Sequence, residues 1–98
     1  MAKKIEWSET AIKDRFNIYV FWEEKNKSSE YSEKLEKLFN EAARLISEFP
    51  ELGTATDIVG LRVKVVKGFK LFYHNSPDSI QIIRIWDSRR DPRSFRLK

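Results

Sequence analysis

The 98 residues have the length of a single domain, and the 41% hydrophobic and 35% charged residues indicate a folded chain rather than a disordered one. The sequence contains no cysteine, which excludes disulfide bonds and thiolate metal sites, and its longest apolar run, Ile18 to Trp22, is far too short to cross a membrane. The net charge of +4 comes from residues 50–98, which carry 10 basic and 5 acidic side chains, so a polyanion or an acidic protein segment is the favoured partner.

A short strand and a helix are predicted at the start of the chain. Residues 5–7 alternate apolar and polar side chains, as an edge strand does. Ser8 is a favourable N-cap for a helix that extends to about Lys25, with apolar side chains at three- and four-residue steps. Phe21 and Trp22 widen this apolar stripe beyond one packing face, so we predict a second contact surface on the helix.

A second helix is predicted after Ser28 or Ser29, and its pattern is one-sided. Its apolar residues recur at steps of three and four, which places them on one face. They are Tyr31, Leu35, Leu38, Phe39, Ala42, Leu45, Ile46 and Phe49. Pro50 ends this helix and Gly53 permits the turn that follows. The two helices are therefore predicted to form a hairpin that packs on a sheet.

Three strands with a period of two are predicted after the helix pair. Residues 61–66 and 69–74 are joined by a short turn at Lys67-Gly68, and a turn over residues 75–79 leads to the strand over residues 80–87. Short turns make these strands an antiparallel meander. Apolar side chains on both sides of the last strand indicate a central, doubly covered position in the sheet.

The predicted fold class is α+β: a strand, a two-helix hairpin and a three-stranded antiparallel meander, with the helices on one face of a four-stranded, mainly antiparallel sheet. Apolar and basic side chains alternate in the first meander strand: Leu61, Val63 and Val65 against Arg62, Lys64 and Val66. If the helices cover the leucine–valine face, Arg62 and Lys64 face an open concavity that suits phosphate. The alternative to a phosphate site is a sheet face exposed to solvent. This alternative explains Arg62 equally well, and it explains Lys64 better.

Several local features occur together in an order that is typical of one protein family. They are Ile5, Trp7, Ser8 and Ala11 at the opening, Pro50 and Gly53 after the second helix, Arg62, the pair Phe72-Tyr73, the run Ile80 to Ile85, and Arg89 to Pro92. On these residues the chain resembles the RelE/ParE toxins over nearly its whole length. The resemblance implies one toxin domain over residues 1–98, with a basic tail at about residues 88–98, located in the cytoplasm.

The resemblance also implies partners and a role. Such toxins are neutralised by a cognate antitoxin, a segment of which wraps the toxin, and no cofactor or metal is expected. The function expected from the resemblance is inhibition of translation by ribosome-dependent mRNA cleavage, as in RelE-like members. The alternative is the role of ParE-like members, which block DNA gyrase and are not nucleases. An inactive interaction module of the same fold is a third alternative. RelE-type nucleases carry a tyrosine or histidine near the C-terminus, and neither follows His74 here, which weighs against mRNA cleavage.

The candidate catalytic residues follow from the chemistry of RNA cleavage. The reaction needs a base for the 2′-hydroxyl, cations for the charge on the phosphate and an acid for the leaving oxygen. Arg62 and Arg84 are predicted to stabilise the phosphate, and Asp87 is the candidate base. For Asp87 the alternative is local pairing with Arg89 or Arg90.

Two further groups of residues are predicted to bind macromolecules. Basic residues expected to contact RNA or another target are Lys64, Lys70, Arg89, Arg90 and Arg93. Exposed apolar surface for the antitoxin is predicted at Trp7, Phe21 and Trp22, with core packing as the alternative. No metal site is predicted, because the only histidine in the sequence has no second histidine or cysteine to join it.

Overall fold

A computed structural model describes residues 2–88, so the predicted target-binding residues Arg89, Arg90 and Arg93 lie outside the described part. The elements are β1 (Lys4–Trp7), α1 (Glu9–Asn26), α2 (Glu30–Glu48), β2 (Thr54–Ala55), β3 (Leu61–Val66), β4 (Phe69–Asn75) and β5 (Ser79–Asp87). The sheet has the order β1-β5-β4-β3-β2, with β1 parallel to β5 and the other pairs antiparallel. The predicted α+β class is confirmed, and the short β2 adds a fifth strand beside β3.

The helix pair is fixed at its start by Ser8 and along its length by the apolar face of α2. The Ser8 hydroxyl accepts a hydrogen bond from the Ala11 amide (3.0 Å) and donates one to the Ile83 carbonyl of β5 (2.7 Å). On α2, the Phe39 ring packs edge-on against the Phe69 ring of β4, with centroids 5.6 Å apart. These contacts place both helices over one face of the sheet.

The register of β3 reverses the predicted facing of its side chains. Lys67 and Gly68 both have positive φ (51° and 83°), which gives a two-residue hairpin turn that sets Val66 opposite Phe69. Because Phe69 points into the core, residues 62, 64 and 66 share the helix-covered side, and residues 61, 63 and 65 lie on the other side. The condition under which Arg62 and Lys64 would face an open concavity, with the helices on the leucine–valine face, is therefore not met.

A β-bulge explains the mixed pattern of β5. Arg84 lies opposite Phe72 and Ile82 opposite Tyr73, so Ile83 is an extra residue in the ladder. Before the bulge the even-numbered Ile82 points into the core, and after it the odd-numbered Ile85 does. The strand lies between β1 and β4, which confirms its predicted central position.

The turn after α2 is closed by the hydroxyl of Tyr73, which is fully buried. This hydroxyl donates to the Pro50 carbonyl (2.8 Å) and accepts from the Gly53 amide (2.9 Å). A β-carbon on Gly53 would lie 2.7 Å from the same hydroxyl, which explains the glycine. Arg62 donates to the Gly53 carbonyl (2.6 Å). The spacing of Pro50 and Gly53 therefore serves the fold.

We expect Tyr73→Phe to lower the free energy of unfolding by about 2 kcal/mol, because the Gly53 amide loses its buried acceptor. Burial raises the pKa of the Tyr73 hydroxyl above its ordinary value, so its contribution to stability is lost as pH rises through the alkaline range. Urea unfolding measures both effects. Tyr31→Phe, which removes the hydroxyl of a half-buried tyrosine on α2, is the matched control. An equal loss there would contradict a special role for the Tyr73 hydroxyl in closing the turn.

Candidate functional site

A groove opens between α1 and the second half of β5. β1 ends opposite Ile82, so the rest of β5 has α1 beside it in place of a strand. The groove has a volume of about 330 Å³ and combines apolar and charged side chains. It is lined by Asp14, Asn17, Ile18, Phe21, Trp22, Phe69, Arg84, Ile85 and Asp87. A cleft of this composition suits a peptide segment with both apolar and charged side chains.

The charged part of the groove is built around Asp14. Its Oδ2 accepts hydrogen bonds from the Arg84 Nε (3.1 Å) and from the Ile85 backbone amide (2.9 Å). The Arg84 guanidinium also lies over the ring of Trp86, 5.4 Å from its centroid. Arg84 is thus held by an ion pair and an aromatic face in the folded chain, with its charge at the groove wall.

The apolar part of the groove consists of aromatic rings on α1. The rings of Phe21 and Trp22 meet edge-on at 5.2 Å, and Trp22 meets Tyr31 of α2 at 5.0 Å. Lys25 Nζ lies 5.9 Å and 5.8 Å from the Phe21 and Trp22 centroids. Phe21 remains half exposed. An aromatic anchor beside two cations is a surface for an acidic, apolar partner.

The groove joins residues that the sequence assigned to different tasks. Arg84 and Asp87, predicted as catalytic, lie beside Phe21 and Trp22, predicted to bind an antitoxin. Asp14 was not predicted, since a single aspartate on an amphipathic helix is ordinarily a solvated residue. Ile18, four positions after Asp14, is the only local feature of the sequence which indicates that this side of α1 packs against another element.

Trp7 lies at a second, separate depression on α1. The Arg15 guanidinium stacks 4.4 Å from its ring centroid and pairs with both carboxylate oxygens of Glu36 (2.9 Å and 3.1 Å). Phe16 lines the same depression and is 67% exposed. The predicted antitoxin-binding residues therefore divide between two sides of α1, with Phe21 and Trp22 on the groove side.

The remaining predicted cations do not converge on one point. Arg62 is held by the Gly53 carbonyl and contacts the Glu51 carbonyl (3.4 Å), and its strand position pairs with Tyr73 on the helix-covered side. Lys64 lies on that side as well, whereas Lys70 lies on the other side. Arg62 and Lys64 therefore share one side of the sheet, but it is the side that the helices cover and not an open one.

The other candidate groups are placed as follows. The His74 ring nitrogen Nδ1 lies 3.2 Å from the Ser76 hydroxyl. Within residues 2–88 there is no cluster of three histidine, cysteine or carboxylate side chains able to hold a metal ion. No helix in the same range has the length and apolar character needed to span a membrane.

Comparisons with known proteins identify a family and a shared fold. A family model described as the ParE toxin of type II toxin–antitoxin systems, parDE, matches residues 5–92. Among solved structures, the chromosomal ParDE toxin–antitoxin system from P. aeruginosa matches with a TM-score of 0.75 and 19% sequence identity, over 88% of this chain and 96% of that one. No curated protein matches the chain. At this identity the structural likeness concerns the fold.

Proposed function

Because the chain belongs to the family of ParE toxins of type II toxin–antitoxin systems, we propose that it inhibits growth by binding DNA gyrase and performs no hydrolysis. The observation that supports this proposal is the set of contacts made by its two candidate catalytic arginines. Arg84 is engaged by Asp14, and Arg62 by the carbonyl groups of the turn after α2. Such side chains shape a protein-binding surface, whereas a nuclease needs them aimed at one phosphate.

Ribosome-dependent mRNA cleavage is the alternative, and it requires a different arrangement of the catalytic side chains. The cations and the base must meet around one scissile phosphate. The Arg62 guanidinium is held at the turn after α2, whereas the Arg84 guanidinium is held by Asp14 of α1. Asp87 lies at the groove, on the strand end far from Arg62. These positions favour binding to gyrase over mRNA cleavage. Inhibition of growth by the chain would in turn exclude the inactive interaction module.

The antitoxin is proposed to occupy the groove beside α1. Its apolar side chains would cover Phe21 and Trp22, and its acidic side chains would lie near Lys25 and Arg84. This agrees with the partner implied by the family and with the excess positive charge of residues 50–98. The basic tail, including Arg89, Arg90 and Arg93, is proposed to contact the target.

A direct experiment separates the functions. The chain is expressed under tight control, and plasmid supercoiling by gyrase, total mRNA integrity and protein synthesis are followed together. We expect supercoiling to stop while mRNA stays intact, and co-expression of the antitoxin from the adjacent reading frame to restore growth. Rapid cleavage of translated mRNA with normal supercoiling would reject gyrase as the target, and normal growth would support the inactive module.

A further inference from the structure

The loop between β2 and β3 presents two aliphatic side chains to solvent. Val59 is 95% exposed and Ile58 is 53% exposed, at the tip of a turn over residues 57–60 that we call the β2–β3 tip. Leaving adjacent β-branched side chains in water gains nothing for the stability of the fold. Exposed apolar pairs of this kind are typical of sites that another protein covers.

The β2–β3 tip is held in place by hydrogen bonds at its base. The Thr56 hydroxyl accepts from the Ile58 amide (3.1 Å) and donates to the Leu61 carbonyl (3.0 Å). The Leu61 amide donates to the Ile58 carbonyl (3.1 Å), and the Asn75 amide of β4 donates to the Gly60 carbonyl (3.2 Å). Because the turn is tied on both sides, binding through Val59 would cost little ordering entropy.

A cation lies at the base of the same loop. Arg62 lines a shallow depression of about 360 Å³ together with Ile58 and Val59. Its Nη1 donates hydrogen bonds to the carbonyls of Gly53 and Glu51. Within residues 2–88 its other guanidinium nitrogens have no acceptor. Glu51 also lines the depression but forms no ion pair with Arg62 in that range. The unused donors suit a carboxylate on a partner.

The β2–β3 tip is distant from the groove beside α1. The tip adjoins the strand ends where Leu61 pairs with His74, whereas the groove lies at the opposite ends, where Phe69 pairs with Asp87. Strands β4 and β3 separate the two surfaces across the sheet. One partner segment in the groove therefore leaves the β2–β3 tip accessible.

We propose that the β2–β3 tip, with Arg62, is a second protein-docking surface, which binds a segment of the inhibited protein that carries a carboxylate beside apolar side chains. This inference rests on the proposed function, since it names where gyrase is contacted. Val59 and Ile58 enter an apolar recess of the partner, and the free donors of Arg62 receive the carboxylate. The aliphatic tip argues for a protein surface over RNA, whose recognition uses stacking and phosphate contacts.

The test compares charge variants at Val59 in the full chain, with purified gyrase and purified antitoxin as the probes. Val59→Asp is expected to weaken gyrase inhibition at least tenfold, since it places a carboxylate against the partner's own. Val59→Lys, which also places a charge in the apolar recess, is expected to weaken inhibition by a clearly smaller factor than Val59→Asp, because its ammonium group attracts the partner's carboxylate. The control is Val65→Asp, which changes another exposed valine (58%, against 95% for Val59) at the other end of β3 and should stay within threefold of the parent chain. Antitoxin affinity and melting temperature should not change in any variant.

Each outcome decides a separate point. If the parent chain inhibits gyrase and Val59→Asp inhibits it equally, the docking surface is wrong while the proposed function stands. If Val59→Lys loses as much as Val59→Asp, the acidic partner segment is wrong. If Val59→Asp loses antitoxin affinity instead, the surface belongs to the antitoxin and the inference is overturned. If the parent chain does not inhibit gyrase, the proposed function fails and the inference with it.

Discussion

Truncation of Phe21 to alanine is expected to weaken binding of the cognate antitoxin by about 100-fold, as the loss of a central aromatic anchor does at many protein interfaces. Phe21 is half exposed, contacts Trp22 edge-on and lines the groove beside Arg84. Since its ring is not part of the buried core, its loss should leave the fold intact. Isothermal titration of purified antitoxin into each variant measures the change.

Phe16→Ala is the matched control for that experiment. Phe16 is on the same helix, carries the same side chain and is at least as exposed, but it lines the depression beside Trp7. We expect its antitoxin affinity to stay within threefold of the parent chain. A larger loss for Phe16→Ala than for Phe21→Ala would place the antitoxin on the opposite side of α1 and contradict the groove assignment.

The helices were predictable because their signals are local. Ser8 starts α1 through its own hydroxyl, and Pro50 follows the end of α2. The apolar residues of α2 repeat with the helical period, and Leu35, Phe39 and Ile46 are all buried. Each of these features depends on a few neighbouring residues, so no knowledge of the tertiary structure was needed.

The facing of β3 was not predictable from its own residues. Valines occur on both sides of this strand, so the apolar pattern alone allows either side to face the core. The deciding residue is Phe69 in the next strand, because the two-residue turn at Lys67-Gly68 fixes Val66 opposite it. The side of Arg62 therefore depends on a pairing that spans two strands.

The candidate groove was predicted in part. Phe21 and Trp22 were identified as surplus apolar residues on α1, and both line the groove. Their proximity to Arg84 could not be read from the sequence, because it depends on the bulge at Ile83 and on the early end of β1. The partner of Arg84, Asp14, is 70 residues away in the chain and carried no local signal.

Asp14 joins α1 to β5 by two kinds of interaction. Its carboxylate accepts the Ile85 amide, which has no strand partner on that side, and it pairs with the Arg84 guanidinium. The side chains of Asp14 and Arg84 are only 12% and 18% exposed, so solvent screening of the pair is weak. The helix side chain thus takes the place of a neighbouring strand along this part of β5.

Replacing Asp14 with alanine should therefore lower the free energy of unfolding by about 3 kcal/mol, because Arg84 loses its ion pair with Asp14 and the amide of the buried Ile85 loses its acceptor. Asp14→Asn should lose about half as much, since an amide oxygen can still accept from the Ile85 amide. Glu24→Ala, at an exposed position of the same helix, is the control and should change stability by less than about 0.5 kcal/mol. Urea unfolding of the three variants measures the differences. Equal stability of Asp14→Ala and Glu24→Ala would show that α1 stays on β5 through apolar packing alone, and the charged wall of the groove would then have no structural role.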